Sequence, residues 1–359
     1  MYATPELFIP RNTLYRMKRT RPADEESGGA PIPPLARLRA PFVRRAIAAS
    51  VKSAVQALVL EVMFPGGAPV GRYLGERPEL PGPQPVSLNR RNLATVASHA
   101  YGVCEKSDGE RAMLLLVRSP AGARGSAPVP VGAYLIDRTF DVVTFDGAEA
   151  YAAMPSGGPT LLEGELLLRR TDMGTGTGAL AVFNMFDCVL AAGADVAGRP
   201  LKDRLEALRR VGREPYLELE RSATAAADAL LPPLYMIGKV IVSKSDVRGV
   251  LEKITHFEEA ASGASAGGGS AAESVALLES ELAAEGAPTC HRLYRGDKTR
   301  VNATDGLILT PSDASYRDLF SSADACVSPS PRLFRVASTD EIFTLSRLFR
   351  SQIAGSGPS

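Results

Sequence analysis

The stretch YGVCEKSDGERAMLLLV, residues 101–117, joins two apolar runs through a short charged turn. The first run alternates toward Lys106, as a strand with one covered face does. Asp108-Gly109 is a common tight-turn pair. Two readings follow. The segment is an ordinary hairpin with charged shoulders, or Lys106 sits among desolvating strands where an amine loses its proton and becomes a nucleophile.

Working outward, strand-like runs dominate residues 101–190: YGVCEK, AMLLLV, GAYLIDR, FDVVTF, TLLEGELLL and ALAVFNMFDCVL. Turn-rich pieces separate them, which predicts a meandering antiparallel sheet. Upstream, Ile47, Val51, Val55, Leu58 and Val62 recur at helical spacing until FPGG stops the pattern. Downstream, Leu201, Leu205, Leu208 and Val211 form one helical stripe, PLYMIGKVIV (233–242) reads as a strand, and DGLILTP (305–311) as a later one. SDVRGVLEKI reads as a short helix with Ser245 as N-cap. The fold class is α+β, antiparallel β-sheets with flanking helices. Residues 1–40 read as a flexible arm, 41–350 as one domain carrying a low-complexity insertion at 261–287, and 351–359 as a disordered tail.

Composition narrows the partners. The chain has 359 residues, 45% of them hydrophobic, and a net charge of +1, so nucleic-acid contact has to be local rather than global. The four cysteines form no CxxC pair and read as reduced thiols of an intracellular protein. Three histidines leave little for a Cys/His zinc site. No run reaches transmembrane length, which argues against a membrane partner, and no signal peptide is visible. MKRTRP at 17–22 is a basic cluster compatible with a nuclear address or with a solvated end.

Read together, PGPQPVSLNRRN, KSDGER, YLIDR, LLEGELLL, FNMFDC and DGLILTP stand in an order that resembles the nucleotidyltransferase domain of eukaryotic mRNA capping enzymes. That family belongs with DNA and RNA ligases to the lysine-dependent nucleotidyltransferases. The resemblance runs from about 80 to 312. KSDGER would suit a ligase equally; PQPVSL and DGLILTP point to the capping branch.

The resemblance implies a ligase-type (ATP-grasp-like) nucleotidyltransferase fold and a reaction. Lys106 attacks the α-phosphate of GTP, giving a lysyl–GMP intermediate and pyrophosphate, and GMP then passes to a 5′-diphosphate RNA end. It further implies that Asp108, Gly109, Arg111, Arg138, Phe186, Lys239 and Arg335 bind nucleotide, with Phe186 stacking on the purine. Glu165 and Asp305 are similar to the carboxylates around a divalent cation, and hard oxygen donors suit Mg²⁺ or Mn²⁺. Lys239 competes with nearby Lys244 for its place. Implied partners are GTP, nascent RNA, and an RNA triphosphatase, a cap methyltransferase or the RNA polymerase II tail. The alternatives are an ATP-dependent polynucleotide ligase and a non-catalytic nucleotide- or RNA-binding subunit.

Two features depart from the family pattern. Glu163 stands where aspartate is usual. The family's Lys-x-Lys stretch is missing, with Arg335 in the first lysine's place and Ala337 in the second's. Only 24 residues follow Arg335, too few for the family's OB-fold domain, which is expected to be absent from this chain.

Overall fold

The computed structural model describes residues 42–67, 73–75, 78–88, 92–107, 109–122, 127–154, 157–173, 176–225, 232–246, 304–321 and 332–336. The N-terminal arm, the 261–287 insertion, the C-terminal tail and Asp108 lie outside them.

The described elements are β1 (Arg44–Ala46), α1 (Ala49–Met63), β2 (Val86–Ser87), α2 (Leu93–Ser98), β3 (Tyr101–Ser107), β4 (Glu110–Val117), β5 (Gly132–Ile136), β6 (Val142–Phe145) and α3 (Ala148–Ala152). They continue with β7 (Thr160–Met173), β8 (Gly176–Ala191), β9 (Ala194–Asp195), α4 (Leu201–Leu208), a π-helical turn (Arg209–Arg213), α5 (Glu214–Ala225), β10 (Leu234–Gly238) and β11 (Val242–Ser243). A 3₁₀ turn (Lys244–Asp246), β12 (Thr304–Pro311), α6 (Tyr316–Ser321) and β13 (Phe334–Val336) complete the set. The 3₁₀ turn holds Ser245; the rest of the helix expected there lies outside the described residues.

The strands form two sheets. The larger runs β1-β6-β5-β4-β7-β8-β10, with β9 on β8; the smaller runs β11-β3-β12-β13-β2. Pairing is antiparallel except for β10 on β8 and β13 on β2, which are parallel. The antiparallel pairing expected for residues 101–190 holds for every pair from β4 to β9, and both parallel pairs bring in a strand from outside that range.

The large sheet is covered on both faces. Ala112, Leu114 and Leu116 of β4 pack with Tyr151, Ala207, Leu208 and Tyr216 from α3, α4 and α5. Met113, Leu115 and Val117 pack with Val55, Val59 and Met63 of α1. AMLLLV is therefore apolar at every position because neither face meets water. In the small sheet Tyr101, Val103, Leu307, Leu309, Phe334 and Val336 share one apolar face with Val96 of α2.

The hairpin reading of residues 101–117 fails. β3 and β4 are consecutive but lie in different sheets, and the chain crosses from the small sheet to the large one between Ser107 and Glu110. PLYMIGKVIV is likewise not one strand. It ends in the large sheet at Gly238 and re-enters the small sheet at Val242. These two crossings, one just after Lys106 and one through Lys239, meet at the seam between the sheets.

Candidate functional site

Lys106 is the penultimate residue of β3 and is half-buried. On alternation it shares a sheet face with Cys104, away from the apolar face of Val103. β12 runs antiparallel to β3, with Thr304 opposite Ser107 and Leu307 opposite Glu105. One extra residue on β12 makes a bulge there, and Gly306 adopts a φ of 127° that favours glycine. Asp305 and Gly306 thus fall opposite Lys106; the Asp305 side chain lies outside the described residues.

Gly109 has a close-approach role rather than a left-handed backbone. A Cβ on it would meet Leu167 Cδ2 at 2.8 Å, the Leu166 carbonyl oxygen at 3.1 Å and Glu165 Cβ at 3.3 Å. The turn after Lys106 can therefore lie flat on β7 beside Glu165 only without a side chain.

Lys239 joins the two sheets. Its buried ammonium donates to Glu165 Oε2 at 2.5 Å and to the carbonyl of Glu105 at 3.2 Å, the peptide that leads into Lys106. It also lies 5.5 Å from the ring centroid of Phe186, a cation–π distance. Burial works against its charge, but the fields of Glu165 and Glu105 prevail and hold the amine above the ordinary lysine value. Lys244 is excluded from this place. Its amine donates to the carbonyls of Val96, Ala97 and His99 at 2.8, 3.0 and 2.5 Å, closing the C-terminal end of α2.

Phe186 is half-buried on β8 and is the extra residue of a β-bulge. Glu163 pairs with Asp187 and Gly164 with Met185, which leaves Phe186 without an opposite number on β7. A bulge re-aims a side chain, and here the re-aimed ring faces Lys239.

Arg111 pairs with Glu163 across β4 and β7 through Nε and Nη2, while its Nη1 has no hydrogen-bond partner among the described residues. Burial opposes the charge of Arg111, yet Glu163 outweighs it and the guanidinium is held above its ordinary range. Gly82, at φ 138°, closes over this pair from the PGPQPVSL segment together with Tyr316. Arg138 lies just beyond β5, exposed, and its carbonyl accepts from Leu80 N at 3.0 Å. Among the described residues no side-chain hydrogen bond or ion pair brings it to the Glu165–Lys239 pair. Arg335 is exposed on β13 opposite Ile308, which is itself opposite Cys104, so it shares the Lys106 face of the small sheet. Its Nε donates to Ser87 Oγ at 3.2 Å.

Sequence reading missed Arg204. It is fully buried and grips Asp187 with two hydrogen bonds, Nε to Oδ1 at 2.8 Å and Nη2 to Oδ2 at 2.9 Å. The signal was present: Arg204 lies three residues after Leu201 and four before Leu208, on the apolar stripe of α4. A charge on a buried stripe requires a partner.

Among the described residues no group of three or more His, Cys, Asp or Glu gathers as a metal cluster. The Glu165 carboxylate is of the donor type that a divalent cation takes. It offers hard oxygen donors at the seam and already holds a cation, the Lys239 ammonium.

Residues 46–256 match the family model described as mRNA capping enzyme, catalytic domain, and the chain belongs to that family. Among curated relatives, the mRNA-capping enzyme subunit alpha of Candida glabrata is 29% identical over 150 residues, 39% of this chain and 31% of that one. The protein of the same name from Neurospora crassa is 33% identical over 157 residues, 42% of this chain and 37% of that one. The chain therefore spans about a third of the length of these relatives. Among solved structures, Pmar-Lig_PreS3 aligns with 73% of this chain and 47% of its own, at 12% identity and TM-score 0.36, a likeness too slight to carry an argument.

Proposed function

We propose that this chain is an mRNA guanylyltransferase acting through Lys106. The Nζ of Lys106 gives up a proton and attacks the α-phosphate of GTP. A P–N bond forms, the bond to the β-phosphate oxygen breaks, and pyrophosphate leaves. The 5′-diphosphate end of an RNA then takes the GMP, restoring the amine. The observation that supports this reading is the seam itself: Lys239 bonds Glu165 and the Glu105 carbonyl, one peptide before Lys106, where the chain crosses twice between sheets, beside an aromatic ring set out of register. Membership of the capping family favours GTP over ATP.

The roles divide by position. Phe186 stacks on the purine, and Lys239 sets charge between the base and the phosphates. Gly109 keeps the turn close to β7, Asp108 contacts the nucleotide from that turn, and Arg111 and Arg138 approach the sugar and phosphates. Arg335 supplies cationic charge from the Lys106 face in place of the family's lysine pair, held by Ser87. Glu165 and Asp305 would hold Mg²⁺ or Mn²⁺, which when bound offsets negative charge developing on the phosphate. Residues 41–350 form the nucleotidyltransferase domain. The setting is nuclear, and the working partners are a triphosphatase, a cap methyltransferase or the RNA polymerase II tail.

Incubation with α-³²P-labelled GTP and Mg²⁺ or Mn²⁺ tests the reading. A protein-bound label that is acid-labile, alkali-stable and absent from Lys106→Ala is expected. No label, or label that survives the substitution, overturns it, and label from ATP in preference to GTP moves the chain to the ligase reaction.

A further inference from the structure

The Arg204–Asp187 pair is the most deeply buried ion pair described at this end of the large sheet, and no step of the reaction uses it. Arg204 is 0% and Asp187 5% exposed. Beyond its two bonds to Asp187, Arg204 Nη1 donates to the carbonyls of Arg199 at 2.7 Å and Ala314 at 3.0 Å. Its guanidinium carbon lies 5.8 Å from the ring centroid of Tyr316. One side chain thus ties β8 to its own helix and to the segment that leaves β12.

The location of the pair matters more than its strength. Asp187 stands next to Phe186, the extra residue of the bulge. A second register shift separates Leu161 and Leu162 on β7, with Cys188 and Leu190 opposite them, so Asp187 and Cys188 lie between two irregularities. Such a stretch can slide by one residue, and a one-residue slip turns every side chain to the other face. The local sequence does not resist sliding, because Met185, Cys188, Val189 and Leu190 are all apolar and fit either face. A buried carboxylate held by an arginine that makes four hydrogen bonds has one acceptable position. Buried ion pairs add little net stability over apolar replacements, and their best-attested use is to fix register.

We propose that Arg204 is a positioning residue: through Asp187 it locks the bulge that turns Phe186 toward Lys239, and so sets base stacking. The stacking part rests on the guanylyltransferase reading; the locking part does not. The test is the double substitution Asp187→Leu with Arg204→Met, which removes both charges and leaves apolar side chains. The chain contains no tryptophan, so Phe186→Trp places a single indole fluorophore at the bulge.

In the Asp187→Leu/Arg204→Met background the fold is expected to survive by circular dichroism. The emission maximum of the introduced indole and its acrylamide quenching are expected to change. With Phe186 in place, KM for GTP in adduct formation is expected to rise on the order of tenfold, the size of one lost base–aromatic contact, with the maximal rate changed far less. Arg204→Lys with Asp187 intact keeps the charge and should recover part of that loss. An unchanged indole signal overturns the lock even if the protein forms no adduct with GTP. A changed signal with KM unaltered overturns the link to stacking. If the double variant does not fold, Arg204→Lys decides: unchanged KM and indole emission overturn the proposal, and a partial shift in both supports it. Absence of label in the unsubstituted protein instead removes the guanylyltransferase reading and leaves the fluorescence result standing.

Discussion

Replacing Lys239 by methionine keeps the aliphatic stem and removes the ammonium that bridges the sheets. The magnitude follows from the surroundings. The Lys239 side chain is 2% exposed, and that of its partner Glu165, 2.5 Å away, is 13% exposed. Breaking a buried pair by removing one partner costs about 3–5 kcal/mol, because the other charge is left behind. Glu165 keeps some access to water, which places the cost near the low end. The lost cation–π contact with Phe186 adds ~1 kcal/mol. The bond to the Glu105 carbonyl is lost as well, worth about 1 kcal/mol more, for a total of about 5 kcal/mol. For a unit of this size that lowers Tm by roughly 10–20 °C. The double variant Lys239→Met with Glu165→Gln removes the stranded charge and should recover about half of the loss. Urea and thermal unfolding of the four proteins in the cycle give the coupling directly. A cost below about 1 kcal/mol for Lys239→Met, or a coupling energy near zero, refutes the argument that this pair holds the seam.

Three further outcomes are expected. Gly109→Ala drives a Cβ to 2.8 Å from Leu167 Cδ2 and 3.1 Å from the Leu166 carbonyl oxygen, costs about 1–3 kcal/mol in unfolding, and displaces the turn after Lys106, so adduct formation should fall much more than Tm. Lys244→Met uncaps α2 and costs on the order of 1 kcal/mol in thermal unfolding, yet leaves labelling by GTP unchanged; loss of labelling would return Lys244 to the site. Asp141 lies below the ordinary carboxylate value, chiefly through its hydrogen bond with Lys52. Its contribution is therefore present above pH 3.8 and lost as pH falls through the lowered value. Both side chains are more than a third exposed, so the effect is at most about 0.5 kcal/mol, read as a slightly flatter acid limb of stability against pH in Asp141→Asn.

The elements were largely legible in the sequence. The helical spacing before FPGG became α1, and its buried face includes Val55 and Leu58 as the periodicity required. The strands from 101 to 190 stand where alternation and turn residues put them. The candidate nucleophile and Glu165 are picked out by the order of six stretches that resembles the capping family, because a Lys-x-Asp-Gly turn taken alone is equally an ordinary hairpin turn.

Sheet membership could not be read. YGVCEK and AMLLLV look like the two arms of a hairpin, since a turn has the same residues whether its strands pair or part. Which strand each one pairs with depends on hydrogen bonds to β7 and β12, some 50 and 200 residues away, and no local pattern encodes them. The same holds for the choice between Lys239 and Lys244. Both follow strand residues in one short stretch, and only the meeting of β3, β7 and β8 sends one ammonium to a carboxylate at the seam and the other to a helix end. Local chemistry determined that Lys106 was worth following. The departure of the chain from one sheet into another, a non-local event, decided what stands beside it.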